Sequence, residues 1–357
     1  MSIELHFDDE DWERIERDWS AWWAGELERP MVMLQNTQHF ALARELSEEF
    51  LLERPIDAVL DYYQEQLEAM HYYGDAFPKV WPNFGPGIVA GFLGADVHCD
   101  PDGQTVWFDH APLEPRDLHF ERLAGNRWWT RVRELTRAAV DRWGDRVAVA
   151  HTDLGGAVDI LASFRGTQNL LYDLADRPEE VLRLVDEITP LWLGYYEELN
   201  SIIQSAGRGT TAWAAIWSPG RCYMFQCDFC YMISPEMFER FVLPDLSTCF
   251  GKMDHAFYHL DGKGQIRHLD MLLAEKSLAG IQWIPGAGQP MPERWMPLLA
   301  RIRDAGKLCQ LYVTANGARE IVRELGGRGF ALYVINPMSP EEARDFVNLL
   351  AAEDAGR

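Results

Sequence analysis

The chain has 357 residues, of which 47% are hydrophobic and 25% charged, a composition that excludes a largely disordered protein. The formal net charge of -23, from 56 acidic and 33 basic side chains, argues against nucleic acid and anionic membrane as partners. Residues 1–11 lack the basic start and apolar stretch of a secretory signal, and no segment reaches the roughly eighteen consecutive apolar residues of a membrane span. We therefore expect a cytoplasmic protein with reduced cysteines.

The first third of the chain mixes helical patterns with short apolar runs. An amphipathic pattern over residues 8–23, behind an acidic cap, predicts a helix, and residues 31–34 predict a strand. Residues 55–73 predict a second helix. Residues 83–87 break the pattern, residues 74–81 predict a Gly/Pro/aromatic loop at the mouth of the fold, and residues 99–115 predict a β-hairpin insertion.

From residue 147 onward, short apolar runs alternate regularly with helical stretches. Strands are predicted at 147–150, 211–216, 256–259, 280–284, 308–313 and 330–335, and helices at 167–174, 178–202, 235–253, 266–273, 292–305, 318–325 and 340–352. Strands separated by helices imply βα units and a parallel sheet. About eight such units without a linker favour a single (β/α)8 TIM-type barrel rather than a doubly wound sheet. The barrel would span residues 1–357 and include the N-terminal helices and the hairpin insertion.

Several predicted strands end in polar or aromatic residues. In a barrel, the carboxyl ends of the strands and the loops that follow them build the active site. Substrate-binding candidates at these positions are Trp81, Asn83, Trp217, Gln282, Trp283, Tyr312 and Asn336. The aromatic members suit a planar or methylated, cationic small molecule through stacking and cation–π contacts.

Five motifs together carry a family resemblance. They are His151-Thr152-Asp153-Leu154-Gly155-Gly156, Phe164-Arg165-Gly166-Thr167, Asp176-Arg177-Pro178-Glu179, Ile233-Ser234-Pro235-Glu236-Met237-Phe238 and Tyr258-His259-Leu260-Asp261-Gly262. From about residue 84 to the C-terminus the chain resembles the uroporphyrinogen-decarboxylase-like superfamily. That superfamily includes the heme-pathway decarboxylase and zinc-dependent methyltransferases that move methyl groups from corrinoid proteins to thiols. The resemblance implies a barrel enzyme and an acid near the substrate at Asp228.

The same resemblance implies zinc as a candidate cofactor, cobalamin only on a separate corrinoid protein, and a homodimer. Two stretches depart from the family patterns. Residues 33–40 lack the arginines that hold porphyrinogen carboxylates in the decarboxylases. His259-Leu260-Asp261-Gly262 replaces the His-x-Cys-Gly ligand motif of the methyltransferases, and Asn336-Pro337 replaces a further cysteine. These departures argue against porphyrinogen as substrate and against a thiolate shell around zinc.

Four residues are candidates for catalysis. His259 and Asp261, two apart in a strand, would point the same way and share a metal ion or a substrate. The alternative is that His259 bonds a backbone carbonyl and Asp261 caps a turn. Asp153 is a candidate general acid or base, or else the N-cap of the next helix. Asp228 completes the set.

Cysteine and arginine offer less specific signals. The pair in Cys227-Asp228-Phe229-Cys230 is either a metal or thiol site or simply two buried thiols. Arg165 is expected to make an internal ion pair rather than to bind a substrate carboxylate.

Three functions remain open from the sequence. The first is a methyltransferase or demethylase acting on a small methylated substrate or a corrinoid-bound methyl group. The second is a cofactor-free decarboxylase of an aromatic or heterocyclic acid. The third is a non-catalytic ligand-binding barrel.

Overall fold

A computed structural model describes residues 3–37, 45–100, 102, 105–111 and 113–355. The strands are β1 (Met31–Thr37), β2 (Met70–Gly74), β3 (Lys79–Val80), β4 (Asp96–Asp100), β5 (Thr105–Asp109), β6 (Ala148–Val149), β7 (Thr210–Thr211), β8 (Trp217–Ser218), β9 (Cys222–Phe225), β10 (His255–Asp261), β11 (Leu278–Ile284), β12 (Leu308–Val313) and β13 (Phe330–Val334).

The helices are α1 (Asp9–Trp23), α2 (Ile56–Glu68), α3 (Val89–Phe92), α4 (Arg127–Trp143), α5 (Ala157–Arg165), α6 (Thr167–Asp176), α7 (Pro178–Gln204), α8 (Pro235–Phe241), α9 (Leu243–Phe250), α10 (Leu269–Ala274), α11 (Met296–Asp304), α12 (Ala315–Leu325) and α13 (Pro340–Ala355). No helix in the described ranges is long and apolar enough to cross a bilayer.

The central sheet has seven strands in the order β2-β1-β13-β12-β11-β10-β9. Every neighbouring pair is parallel except β1 and β2. The first strand β1 pairs directly with the last strand β13, as a barrel requires. Strands β3 and β6 form a parallel pair, and a parallel bridge from Ala150 to Thr211 continues that arc. The predicted α/β fold with a parallel central sheet is confirmed, although the hydrogen-bonded ladder of the described residues is not continuous around the full circle.

Helix α1 packs across the end of the sheet where the strands begin. Asp8 caps it by accepting from the Asp11 backbone N–H at 3.0 Å. Three of its indole N–H groups donate to backbone carbonyls: Trp12 to Arg146, Trp19 to Asp75 and Trp23 to Trp217, at 3.0, 3.2 and 2.7 Å. These tryptophans therefore tie the helix to three separate segments and close the amino-terminal end of the strands.

Several predicted elements need correction. The helix predicted over 55–73 ends at Glu68, because the aromatic stretch beyond it pairs with β1 as the antiparallel strand β2. The strand predicted at 211–216 is wrong: β7 ends at Thr211, and the chain turns back into β8, which is antiparallel to it. The helix predicted over 235–253 is divided at Val242, just before Pro244.

Other elements match the sequence or were not predicted at all. The hairpin insertion is present as the antiparallel pair β4 and β5, although Pro101 and Gly103 of its turn lie outside the described residues. Strand β9 and helix α4 had no counterpart in the sequence predictions. Arg165 forms the expected internal ion pair, with its Nε 2.6 Å from Asp173 Oδ2 and both side chains buried.

Candidate functional site

Four acidic side chains and one histidine gather where β6, β9 and β10 end. Asp153 follows β6, Asp228 follows β9, and His259 and Asp261 close β10. Asp228 is exposed, and its charge interacts with Asp153, Asp159, His259 and Asp261. The structure therefore brings together the four residues predicted to be catalytic, with Asp228 at their centre. Asp159 is a fifth member that sequence reasoning missed.

Close backbone packing holds the acidic loops together. Gly155 has a φ of 75°, and a Cβ atom there would lie 2.7 Å from the Cα of Gly87. A Cβ atom on Gly156 would lie 2.4 Å from the carbonyl oxygen of Gln226. Only glycine fits both positions, so the loops after β3, β6 and β9 approach one another more closely than side chains would allow.

Asp153 is fully enclosed by this packing. Its Oδ1 accepts from the Gly155 backbone N–H at 2.9 Å, and both carboxylate oxygens lie 3.2 Å from Gln226 Nε2. Burial, with a further contribution from the charge of Asp228, raises the pKa of Asp153 to about 7. The N-cap interpretation of Asp153 is wrong, because α5 begins behind Gly156 and has no side-chain cap.

Asp159 fixes the segment that carries Asp228. It lies in the first turn of α5, and its two oxygens accept from the backbone N–H groups of Asp228 and Phe229 at 3.0 and 2.8 Å. Burial and the nearby Asp228 charge raise the pKa of Asp159 to about 7. The surrounding walls of the site desolvate the Asp228 carboxyl, although the residue is exposed at the mouth, and this raises its pKa; His259 lowers that pKa and Asp261 raises it. An acid in the first turn of the helix that follows a strand end was the sequence signal available for Asp159.

Replacing Asp153 with asparagine is expected to stabilise the protein at pH 8 by roughly 1–3 kcal/mol. The folded-state pKa of Asp153 lies above the unfolded value of 3.8, so its contribution to stability is full below pH 3.8 and is lost progressively as the pH rises from there through 7. Asparagine mimics the protonated form at every pH. Urea unfolding at pH 8 and pH 5 measures the effect, which should shrink at the lower pH.

The matched control for this change is Asp173→Asn. Asp173 is equally buried, but it is the partner of Arg165. Its replacement leaves a buried guanidinium without its carboxylate and should destabilise the protein at pH 8. A loss of stability in both variants at pH 8 would contradict the role assigned to Asp153.

His259 is half-buried at the mouth and held by its neighbours. Its Nδ1 is hydrogen-bonded to Gln282 Oε1, and the Trp213 ring packs edge-on against the imidazole with the centroids 5.0 Å apart. Nε2 has no hydrogen-bond partner among the described residues. His259 therefore does not bond a backbone carbonyl, as its structural interpretation had assumed, and it presents one ring nitrogen to the site.

Tyrosines occupy the neighbouring part of the mouth. Tyr312 of β12 and Tyr333 of β13 are register partners with ring centroids 5.2 Å apart, and both are half-buried. Tyr333 donates to Gln35 Oε1 at 2.9 Å. Tyr312 thus lies where the sequence predicted, and Tyr333 adds a second aromatic ring beside it.

Trp217 and Trp283 do not lie at the mouth. Because the chain reverses after β7, the Trp217 indole donates to Arg208 O at 2.8 Å near the start of that strand, at the end closed by α1. Trp283 is fully buried against Trp295, in front of α11, and so faces the helices. Neighbouring residues of a strand point to opposite sides, so Trp283 and Gln282 cannot both face the interior.

The remaining substrate-binding candidates have mixed placements. Gln282 faces the interior but is fully buried, with both amide atoms bonded to His259 and Gln310. Trp81 is half-buried just after β3. Asn83 Oδ1 accepts from the Gly85 N–H at 3.0 Å, and exposed Asn336 accepts from the Ala315 N–H at 2.7 Å. Both asparagines therefore shape loops.

The interior behind the mouth is filled by the segment 212–215. Lys79 Nζ donates to the carbonyls of Ala212, Trp213 and Ala214 at 3.2, 3.2 and 3.0 Å. Burial lowers the pKa of Lys79 to about 7. The next carbonyl, of Ala215, accepts from Gln310 Nε2 at 2.7 Å. Four consecutive carbonyls thus find their partners inside the sheet, and sequence reasoning gave no sign of this.

The donor set at the mouth does not form a complete zinc site. In the described ranges, no group of three or more His, Cys, Asp or Glu side chains is placed to hold a metal ion. His259 and Asp261 supply two donors, whereas a protein zinc site usually takes three or four. Zinc binding at this pair stays a prediction, as does the arrival of cobalamin on a separate corrinoid protein.

The cysteines near the mouth are buried thiols. Cys227 and Cys230 are free and almost inaccessible. The Cys230 side chain and burial hold the pKa of the Cys227 thiol well above its usual range. Cys227 therefore stays protonated at neutral pH, and both thiols are too buried to be reached by a substrate.

Comparison with known proteins supports the fold of this chain but does not identify its family. No protein-family model matches this chain, and no curated protein sequence matches it. It is similar to the structure of a methyltransferase from Methanosarcina mazei, with a TM-score of 0.58 and 11% sequence identity over 95% of this chain and 98% of that chain. The two chains share an α/β fold over almost their whole length.

A second solved structure is similar over a smaller part. It is a B12-independent methionine synthase from Shewanella sp. W3-18-1 in complex with selenomethionine, with a TM-score of 0.37 and 10% identity over 74% of each chain.

Proposed function

We propose that the chain is an enzyme of the uroporphyrinogen-decarboxylase-like superfamily that transfers a methyl group from a small cationic substrate to a thiol or a corrinoid protein. The observation that carries this proposal is the position of Asp228, exposed at the mouth and surrounded by Asp153, Asp159, Asp261 and His259.

The site carries negative charge that the protein does not neutralise. The charged neighbours of Asp153, Asp159 and Asp228 are one another, Asp261 and His259, and no described Lys or Arg side chain forms an ion pair with them. Repulsion among these groups helps to raise their pKa values. A bound cation would relieve this repulsion, so the site favours a positively charged ligand.

Aromatic rings favour a methylated cation over a metal ion. The half-buried rings of Trp213, Tyr312 and Tyr333 lie on strands or loops at the same end of the sheet as Asp228. Quaternary ammonium and sulfonium groups have diffuse charge and weak hydration, and they bind to aromatic faces. Carboxylates and aromatic rings together match a methylammonium or methylsulfonium substrate.

The chemistry is a displacement at the methyl carbon. The C–N or C–S bond breaks and its electron pair stays on the donor heteroatom, while a lone pair of the acceptor forms the new bond to carbon. A thiol acceptor loses its proton in this step, and the free Nε2 of His259 is a group that can take it. A sulfonium donor becomes a neutral thioether, and an ammonium donor becomes a tertiary amine that can then take up a proton.

Binding of choline to the full chain tests the charge argument. Choline should bind, and its uncharged carbon analogue 3,3-dimethyl-1-butanol should bind much more weakly, in isothermal titration calorimetry at pH 8. Asp228→Asn should weaken choline binding about 10- to 100-fold, because it removes one charge close to the ammonium. Asp57→Asn, which changes an exposed carboxylate paired with Arg142 on the surface, should have no effect. Equal binding of choline and its analogue would contradict a cation site.

Methyl transfer is tested separately with donors labelled in the methyl carbon. Choline, glycine betaine and a methylsulfonium compound are offered with 2-mercaptoethanol or reduced cobalamin as acceptor, and the labelled methyl resonance is followed by NMR. A new S–CH3 or Co–CH3 resonance supports the proposal. Binding without any transfer would favour the ligand-binding barrel, and release of CO2 from aromatic acids would favour the decarboxylase.

A further inference from the structure

Three polar side chains cross the interior of the sheet in one row. His259 of β10 is the register partner of Gln282 in β11, which is the partner of Gln310 in β12. Both glutamines are completely buried. Register partners in a parallel sheet point to the same side, so the three side chains meet directly.

The row forms a continuous chain of hydrogen bonds. His259 Nδ1 bonds Gln282 Oε1, Gln282 Nε2 donates to Gln310 Oε1 at 2.6 Å, and Gln310 Nε2 donates to the Ala215 carbonyl at 2.7 Å. The Ala215 carbonyl is the end of the chain. It belongs to the segment 212–215, whose three preceding carbonyls are held by Lys79.

The order of donors and acceptors in this row of hydrogen bonds follows from its last acceptor, the Ala215 carbonyl. A carbonyl oxygen only accepts hydrogen bonds, so the atom of Gln310 that faces Ala215 must be its NH2 group. The other end of the Gln310 amide is then its oxygen, and it requires the NH2 group of Gln282. The Gln282 oxygen is left to face His259, and it requires a proton on Nδ1. Each amide has one orientation that satisfies both neighbours.

We propose that Gln282 and Gln310 are positioning residues that hold His259 in the tautomer with the proton on Nδ1. Nε2 of the neutral ring then carries the lone pair and faces the site beside Asp228. In the other tautomer, the unprotonated Nδ1 would face the Gln282 oxygen, so that two acceptors would meet. Turning both buried amides would remove that conflict but would place the Gln310 oxygen against the Ala215 carbonyl oxygen. The inference does not depend on the proposed function, since it holds for any reaction in which His259 takes a proton or binds a cation.

Neutral amides suit this role better than a carboxylate would. A buried carboxylate at position 282 would also fix Nδ1–H, but it would add a fifth negative charge to the acidic site and stabilise the imidazolium form. The two uncharged glutamines link the Ala215 carbonyl to the imidazole, and each amide is oriented by its neighbour in the row. They leave the electron pair of Nε2 available.

Ring-nitrogen NMR of the full chain, labelled with 15N-histidine, tests the inference without any ligand. The spectrum is recorded at a pH at which the imidazole is neutral, and His259 is identified among the ten histidines by its loss in His259→Gln. The expected spectrum shows a protonated Nδ1 and an unprotonated Nε2. A wild-type ring with the proton on Nε2 would overturn the inference.

Two variants test the cause. Gln310→Met removes the link to Ala215, so the Gln282 amide is free to rotate, and His259 should lose its single tautomer and show a mixture. Gln265→Met is the control, because Gln265 is an equally buried glutamine that bonds Tyr258 and the Cys227 carbonyl instead. The control should keep the Nδ1–H form, whereas an unchanged tautomer in Gln310→Met would refute the positioning role. If Gln310→Met does not fold, Gln282→Met breaks the same chain at its middle and is judged by the same result.

Discussion

Replacing Lys79 with methionine is expected to lower the free energy of unfolding by about 3 kcal/mol at pH 7. The three protons of its ammonium group are matched by the carbonyls of Ala212, Trp213 and Ala214, each within 3.2 Å. Methionine fills a similar volume but donates nothing, so the carbonyls of Ala212 and Trp213 lose their partner, while the Ala214 carbonyl keeps the backbone N–H of Ile216 at 3.0 Å. An orphaned buried acceptor costs roughly 1–3 kcal/mol.

Relief of the buried charge offsets part of this cost. Burial of the ammonium is unfavourable, as the lowered pKa of Lys79, about 7, shows. Methionine removes that penalty, and the expected net loss is therefore well below the sum for the two orphaned carbonyls and the weakened third. Urea unfolding followed by tryptophan fluorescence measures the difference.

Lys307→Met provides the control. Lys307 Nζ also donates to backbone carbonyls, those of Glu275 and Leu278 at 2.5 and 2.6 Å, but these flank the exposed residues 276–277, whereas Ala212 and Ala214 are buried. Water can replace its bonds, so its loss should cost less than about 1 kcal/mol. If both lysine variants are equally stable, the segment 212–215 does not depend on Lys79.

The regular part of the fold was predictable because its strands and helices have clear periodicity. Strands β10 to β13 and helices α6, α7 and α13 lie where the alternation of apolar runs placed them. The rule that polar residues at strand ends converge was sufficient to gather Asp153, His259 and Asp261, whereas Asp228 was predicted from the family resemblance, because strand β9 before it was not predicted. That rule needs no knowledge of which strands are neighbours.

The errors come from contacts that no local pattern encodes. The alanine-rich run 211–216 has the composition of a buried strand, but its carbonyls are needed by Lys79 and Gln310, and the chain turns back. Because of that turn, Trp217 lies at the amino-terminal end of the strands and not at the predicted mouth. The error at Trp283 has another origin. Neighbouring residues of a strand point to opposite sides, so the sequence itself excluded one of Gln282 and Trp283 from the interior.

The role of Gln310 could not be predicted from the sequence. It depends on register, because Gln310 reaches His259 only through Gln282, and the pairing of β10, β11 and β12 decides which side chains meet. A single sequence specifies which residues face inward but not how one strand slides against the next. The acidic cluster was predictable except for Asp159, whereas the row of hydrogen-bonded amides behind it depends on strand register.

His259→Gln is expected to reduce methyl transfer to a thiol acceptor by about 10²- to 10⁴-fold at pH 7, with little change in choline binding. Glutamine keeps a polar side chain of similar reach but has no nitrogen lone pair to accept the thiol proton. His255→Gln is the matched control, because His255 begins the same strand at the opposite end, where it bonds Ser218 at 2.7 Å and stacks on Trp23. Single-turnover transfer of a labelled methyl group measures both variants.

The pH dependence separates a base from a residue that only supports the structure. As the pH rises through the pKa of the thiol, the acceptor ionises without help, and a base becomes unnecessary. The deficit of His259→Gln should therefore shrink by at least about tenfold between pH 7 and pH 9.5. A structural defect would leave the same deficit at both pH values, and that outcome would remove His259 from the proton transfer while leaving the cation site intact.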